Sequence, residues 1–157
     1  MPKNPSPFAK IEIFTNTDEA VDALRPDPNE HPKRFLPLPT WATPPEVIEA
    51  DGVTLLRPND ASIREIEPRV GSLYRELISQ YGRDRLVLDF SDLRPFSHPF
   101  HDDMFAVLAA VKEVNGRIAI CGSQDWYINR LSAYRVEYEF LPKQRKRWWF
   151  FSRRTND

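Results

Sequence analysis

A mixed α/β sheet with flanking helices is the fold class that this sequence predicts. Two continuous apolar runs, RLVLDF and RIAICG, are typical of strands covered on both faces. Between them, DDMFAVLAAVKEVNG has apolar residues at helical spacing. Upstream, Asp51-Gly52 separates two short apolar runs, which is a strong hairpin signal. Strands that alternate with helices favour parallel pairs joined by crossover connections.

The regular pattern covers residues 46–142, which we assign to one domain. Its predicted elements, in chain order, are the hairpin VIEADGVTLLRP, a helix from about Pro68 to Tyr81, the strand RLVLDF, the helix ended by Asn115-Gly116, the strand RIAICG, a short helix in SQDWYINRLSAY and an edge strand in RVEYEFLP. Gly82 is expected to end the first helix in a left-handed conformation. Ile118 and Ile120 should lie in a central strand, beside the strand that contains Leu86 and Leu88.

Residues 1–45 are predicted to form a proline-rich extension, since they contain ten of the fifteen prolines. Proline lacks an amide donor and disfavours both helices and central strands. Within this segment FAKIEIF could pair as a strand, and TDEAVDALR could form a helix capped by Thr17. The rest is either a disordered linker or an extended arm. In the second case four apolar residues, Phe35, Leu36, Leu38 and Trp41, would pack it along a surface.

The bulk composition excludes several classes of protein. The net charge is −1, so the whole chain is not a polyanion binder. The single cysteine, Cys121, rules out an internal disulfide, and we expect it to be a small buried residue. The first residues contain no apolar signal-peptide core, and no run is long enough to span a membrane. A cytoplasmic location, with contact at the membrane surface as an option, is the expectation.

Residues 47–141 resemble the STAS domain, which occurs in bacterial anti-sigma factor antagonists. The resemblance depends on the hairpin VIEADGVTLLRP, the strand and turn LVLDFSDL, and the Asn-Gly stop before RIAICG. It implies a STAS-like sheet and a protein partner, either an anti-sigma factor or a related kinase. In that family a serine of an Asp-Ser-Ser-Gly-Leu signature is phosphorylated. Ser97 aligns with the signature and is the candidate phosphoacceptor, although the second serine and the Gly-Leu pair are missing here. A phosphorylation-independent adaptor, with Ser97 only hydrogen-bonded in its turn, is the other interpretation.

The junction around Ser97 also contains His98, His101, Asp102 and Asp103, which raises the question of a metal or catalytic site. Pro99 separates the two histidines, so they are not expected to share a regular helical face. No third ligand is evident, because His31 lies in the arm and Cys121 in a buried strand. With five glycines and no glycine-rich phosphate loop, the sequence predicts neither a metal, nor a cofactor, nor an enzyme.

The C-terminal tail, residues 143–157, is basic and aromatic. Its net charge is +5, from six cations against one acid, whereas the rest of the chain sums to −6. The tail's cations and aromatic residues are Lys143, Arg145, Lys146, Arg147, Trp148, Trp149, Phe150, Phe151, Arg153 and Arg154. Three interpretations remain open. The tail could bind an anionic membrane surface, or stack on nucleic acid, which the acidic body disfavours, or make protein contacts within or between chains.

Together these observations predict a non-enzymatic regulatory or scaffolding module that binds a protein partner. The alternative is a peripheral membrane-surface or nucleic-acid binder that acts through its tail.

Overall fold

The computed structural model describes residues 6–29, 36–42, 46–58, 70–92, 98–122, 129, 131–133 and 135–141. For residues 70 and 98–103 it describes the backbone alone.

A six-stranded mixed sheet forms the centre of the molecule, which confirms the predicted α/β class. The strands are β1 (Ile11–Phe14), β2 (Val47–Ala50), β3 (Val53–Leu56), β4 (Arg85–Asp89), β5 (Arg117–Cys121) and β6 (Tyr138–Phe140). Their order across the sheet is β2-β3-β4-β5-β1-β6. Only the β2–β3 pair is antiparallel, and the other neighbours run parallel.

Three described helices cover the two faces of the sheet: α1 (Thr17–Leu24), α2 (Val70–Ser79) and α3 (His98–Glu113). One face packs against α1, through a buried cluster of Phe14, Ala20, Leu24, Val53, Leu55, Val87, Ala119 and Cys121. The other face packs against α2 and α3, through a larger cluster that includes Leu77, Leu86, Leu88, Met104, Leu108, Val111, Ile118 and Ile120. Within the described ranges, no helix combines the length and the apolar character needed to cross a bilayer.

The strand β1 lies inside the sheet, between β5 and β6. Residues 1–45 were predicted to be an extension, but β1 and α1 within them are integral parts of this layered fold. The physical reason is local. No proline interrupts the chain between Phe8 and Leu24, so every residue there keeps its amide donor. Ile11 and Ile13 are also fully or almost fully buried, at 0% and 4% exposure.

Further along the proline-rich segment, Leu38 and Trp41 are partly buried against the larger core cluster. The packing arm predicted for this region is therefore found for these two residues. Leu36 is 55% exposed, and Phe35 lies outside the described residues.

The predicted hairpin and central strands are confirmed. The turn residues Asp51 and Gly52 both have positive φ, at 52° and 84°, as a two-residue hairpin turn requires. Ile118 and Ile120 pair with Leu86 and Leu88 in parallel register.

One helix end differs from the sequence prediction, and another agrees with it. Asn16, not Thr17, caps α1: its Oδ1 accepts a hydrogen bond from the backbone N–H of Glu19 at 2.9 Å. After α3, the left-handed residue is Asn115, with φ of 53°. Gly116 is needed for a different reason, because a Cβ there would collide with the carbonyl oxygen of Asp84.

Candidate functional site

The carboxyl ends of β1, β3, β4 and β5 meet at one edge of the sheet because these strands run in the same direction. In open α/β sheets this edge is where ligands usually bind. A group of polar and small residues lies there, which we call the carboxyl-edge cluster. Its members are Thr17, Arg57, Asp89, Ser91, Cys121 and Gly122.

Asp89, the last residue of β4, holds this cluster together. Its Oδ1 accepts hydrogen bonds from the backbone N–H of Ser91 at 3.0 Å and from the Ser91 hydroxyl at 2.6 Å. Its Oδ2 accepts from the Thr17 hydroxyl at 3.3 Å and faces Arg57 Nε at 3.6 Å. Both oxygens are therefore engaged in contacts that shape the chain as it leaves the sheet. This carboxylate is a structural anchor.

Gly122, directly after β5, allows the neighbouring strand ends to approach closely. A Cβ at this position would overlap the Ser91 hydroxyl and lie 2.8 Å from the Ser91 backbone nitrogen. Its φ is +68°, which side-chain-bearing residues rarely adopt. The turn after β4 is thus pressed against the end of β5, and any larger residue at 122 would displace it.

Cys121, at the end of β5, is 1% exposed, which confirms the burial expected from the sequence. Its Sγ lies 3.3 Å from the Thr17 hydroxyl, and the thiol donates to the carbonyl of Leu88 at 3.7 Å. Burial raises the pKa of this thiol, although the hydrogen bond with Thr17 acts in the opposite direction. A protonated, buried thiol is a poor nucleophile, so the group packs and does not react.

Two members of the cluster face solvent. The Arg57 side chain is 39% exposed, while its Nε is buried and makes no hydrogen bond to any described residue. Ser91 and the adjacent Asp92 are both exposed. The edge therefore offers a cation, a hydroxyl and a carboxylate on a firmly held frame, an arrangement suited to binding. Among the described residues, no group of three or more His, Cys, Asp or Glu side chains could hold a metal ion.

The opposite, amino edge of the sheet holds the end of α1. Arg117 Nη1 donates to the carbonyl of Ala23 at 3.0 Å, and Arg85 Nη1 donates to that of Leu24 at 2.8 Å. Arg117 also forms a two-point ion pair with Glu12, at 3.0 and 2.5 Å. These arginines satisfy carbonyls that a helix end leaves without partners, so their role is to fix α1 on the sheet.

Most residues singled out from the sequence fall where the structure gives no description. Ser97, His31 and the whole tail 143–157 lie outside the described residues.

His98 to Asp103 form the start of α3, with Pro99 inside its first turn. The expectation that Pro99 prevents a regular helical face was therefore wrong. A proline is tolerated in the first turn of a helix because the amide it lacks would have had no helical partner there.

The apolar run RLVLDF puts Asp89 at the end of a strand, but the sequence alone does not reveal its partners. Arg57 directly follows β3, so it could have been found once β3 was placed next to β4 with the same direction. Thr17 was assigned to the extension, and no local signal connects it with Asp89, 72 residues further along the chain.

The chain matches no family model, and neither the curated proteins nor the solved structures include a significant match. The STAS resemblance accordingly stays a hypothesis.

Proposed function

We propose that this protein is a non-enzymatic regulatory or scaffolding module that binds a protein partner at the carboxyl edge of its sheet. The observation that carries the proposal is that both carboxylate oxygens of Asp89 are engaged by neighbouring residues. This carboxylate ends the central strand β4, where catalytic acids are often found, and it is engaged by Ser91, Thr17 and Arg57. The surface around it presents exposed polar groups on a hydrogen-bonded support, an arrangement that suits binding.

The STAS resemblance supports the same function. It implies an anti-sigma factor or a related kinase as the partner and the strand-to-helix junction after β4 as the contact region. A phosphate at Ser97, with a charge of about −1.5 to −2, would alter any contact made there. A constitutive adaptor that needs no phosphate is the second form of this proposal, and the missing Ser-Gly-Leu residues favour it.

The test is to recover partners with two matched charge reversals. Asp92→Lys changes the exposed carboxyl edge, and Glu113→Lys makes the same charge change on an exposed residue at the far end of α3. Full-length tagged protein, wild type and both variants, is purified from the cells that express it naturally. Proteins recovered with the wild type are then produced separately, and their binding to the purified wild type and to each variant is measured.

We expect Asp92→Lys to weaken rebinding at least tenfold and Glu113→Lys to leave it unchanged. If no recovered protein rebinds, or if both variants bind as the wild type does, the proposal is refuted. Phosphate analysis of Ser97 in the same material separates the switch from the constitutive adaptor.

A second candidate function is peripheral binding to an anionic membrane through the tail, favoured by its six cations next to four consecutive aromatic residues. Each cation near an anionic surface contributes about 1 kcal/mol, and inserted aromatic rings add an apolar term. Vesicles with and without anionic lipid test it by sedimentation. Binding that requires anionic lipid and weakens with salt would support this function over nucleic-acid binding, and absence of binding would remove it.

A further inference from the structure

We infer that the outer edge of β6 is a docking surface for an extended segment, and that its occupant is the basic aromatic tail, residues 143–157, of the same chain. This inference concerns a different edge of the sheet from the partner-binding proposal and does not depend on it.

The backbone of β6 has a bonded side and an outward side. Ile11 N–H donates to the carbonyl of Glu137 at 2.9 Å, and Leu141 N–H donates to that of Ile13 at 2.7 Å. Since hydrogen-bonding direction alternates along a strand, the N–H and C=O groups of Tyr138 and Phe140 point away from β1. β6 is the last strand in the sheet order, and no other described strand pairs with its outer side. Its outward groups can thus accept a further strand.

The two faces of β6 differ in chemistry. On one face the rings of Tyr138 and Phe140 lie edge to face with centroids 5.7 Å apart, and Phe140 is 55% exposed. On the other face Glu139 forms an ion pair with Lys10 at 2.9 Å. This carboxylate raises the pKa of Lys10, through the side-chain hydrogen bond first and then its charge. A complementary strand needs an aromatic residue for the first face and a cation for the second.

The tail meets both requirements in one antiparallel register. If Arg147 lies opposite Glu139, then Trp148 lies opposite Tyr138 and Lys146 lies opposite Phe140. These are an opposite-charge pair, an aromatic pair and a cation above a ring, each of which stabilises neighbouring strands.

The connection also selects this register. It leaves residues 142–144 as a three-residue loop, which is a common hairpin length. A register one residue shorter would put Pro142 in a two-residue turn that needs positive φ, and the proline ring forbids this.

The tail of the same chain is favoured as occupant over a separate molecule because it starts directly after β6. Its local concentration at the edge is therefore high. The charges agree as well, since a +5 tail meets a body of −6.

Cross-linking with paired cysteines tests the register in the full-length protein. Opposite residues on neighbouring strands have Cβ atoms about 4.5–5.5 Å apart, close to disulfide geometry. Glu139→Cys with Arg147→Cys should form an intramolecular disulfide at least tenfold faster than the control, Glu139→Cys with Lys146→Cys, in which the second cysteine would point to the opposite face. Peptide mapping identifies the bond and separates it from Cys121.

Equal rates for the two pairs would overturn the inference. A disulfide between molecules would overturn the choice of occupant and assign the edge to a second copy.

Amide exchange provides a second measurement that needs no cysteine. We expect the Phe140 amide, which would donate to the Lys146 carbonyl, to be protected in the wild type. It should exchange at least tenfold faster in Lys146→Pro, because proline lacks the amide that would donate to the Phe140 carbonyl and so disrupts the strand pairing. Lys143→Pro, in the loop, is the matched control and should leave exchange unchanged. An unprotected Phe140 amide in the wild type would refute the docking.

Discussion

Replacing Asp89 by alanine tests whether this carboxylate is the anchor of the carboxyl edge. The side chain is 15% exposed and accepts from the Ser91 backbone N–H and hydroxyl at 3.0 and 2.6 Å. A hydrogen bond to a charged group contributes about 1.5–3 kcal/mol, and we count the partly solvated Ser91 pair as one such bond, about 2 kcal/mol. The Thr17 and Arg57 contacts are longer, at 3.3 and 3.6 Å, and each adds less. Together these two longer contacts add about 1 kcal/mol.

We therefore expect Asp89→Ala to lower the free energy of unfolding by about 3 kcal/mol, measured by urea denaturation followed by circular dichroism. Asp89→Asn should lose less, because its carbonyl oxygen can still accept from the Ser91 amide. Asp92→Ala, which changes an exposed neighbour, serves as the control and should stay within about 0.5 kcal/mol of wild type. If Asp89→Ala is as stable as this control, Asp89 is not a structural anchor. The observation behind the proposed non-enzymatic function is then lost.

Three further predictions concern the core and the turns. Ile120→Asp should unfold the protein, since it puts an unpaired charge at a position with 0% exposure; a soluble variant with unchanged melting temperature would contradict the burial. Gly116→Ala should lower the free energy of unfolding by about 1–3 kcal/mol, because its methyl group meets the Asp84 carbonyl. Asn115→Gly should change it by no more than about 0.5 kcal/mol, since glycine tolerates the positive φ there. If denaturant unfolding ranks the two variants in the opposite order, the roles of these residues are reversed. Cys121 should react with a thiol reagent at least about 100-fold more slowly in the native protein than in urea, and rapid labelling of the native protein would show that the thiol is accessible. The free energy of unfolding should fall as pH rises above about 8.5, because the pKa of this thiol is higher in the folded state than in the unfolded state.

Local signals in the sequence predicted the elements whose apolar pattern is complete within a short stretch. The Asp51-Gly52 turn is an example, because two residues with positive φ determine the hairpin without help from the rest of the chain. The buried runs of β4 and β5 are another, since strands covered on both faces need apolar residues throughout.

The position of β1 and the members of the candidate site depend on strand order, which no local signal contains. Ile11–Phe14 is a short apolar stretch next to many prolines, and only its pairing with β5 and β6 shows that it is central. Thr17 reaches Asp89 solely because β1 places the start of α1 at the carboxyl edge. Asp89 ends a buried run, but its role follows from partners that are distant in sequence.

The central position of β1 has a consequence for how the chain reaches its native state during synthesis. Glu12 in β1 and its ion-pair partner Arg117 in β5 are 105 residues apart, and β6 follows later still. Because the ribosome adds about 5–20 residues per second, both strands that pair with β1 are synthesised several seconds after β1 itself. Until then, a nascent chain can assemble the hairpin and β4 while β1 offers two unsatisfied edges to other molecules. Closing such distant pairs is slow, and the exposed intermediate is prone to aggregate, so ribosome-bound chains halted before residue 117 should be the forms that chaperones bind most strongly.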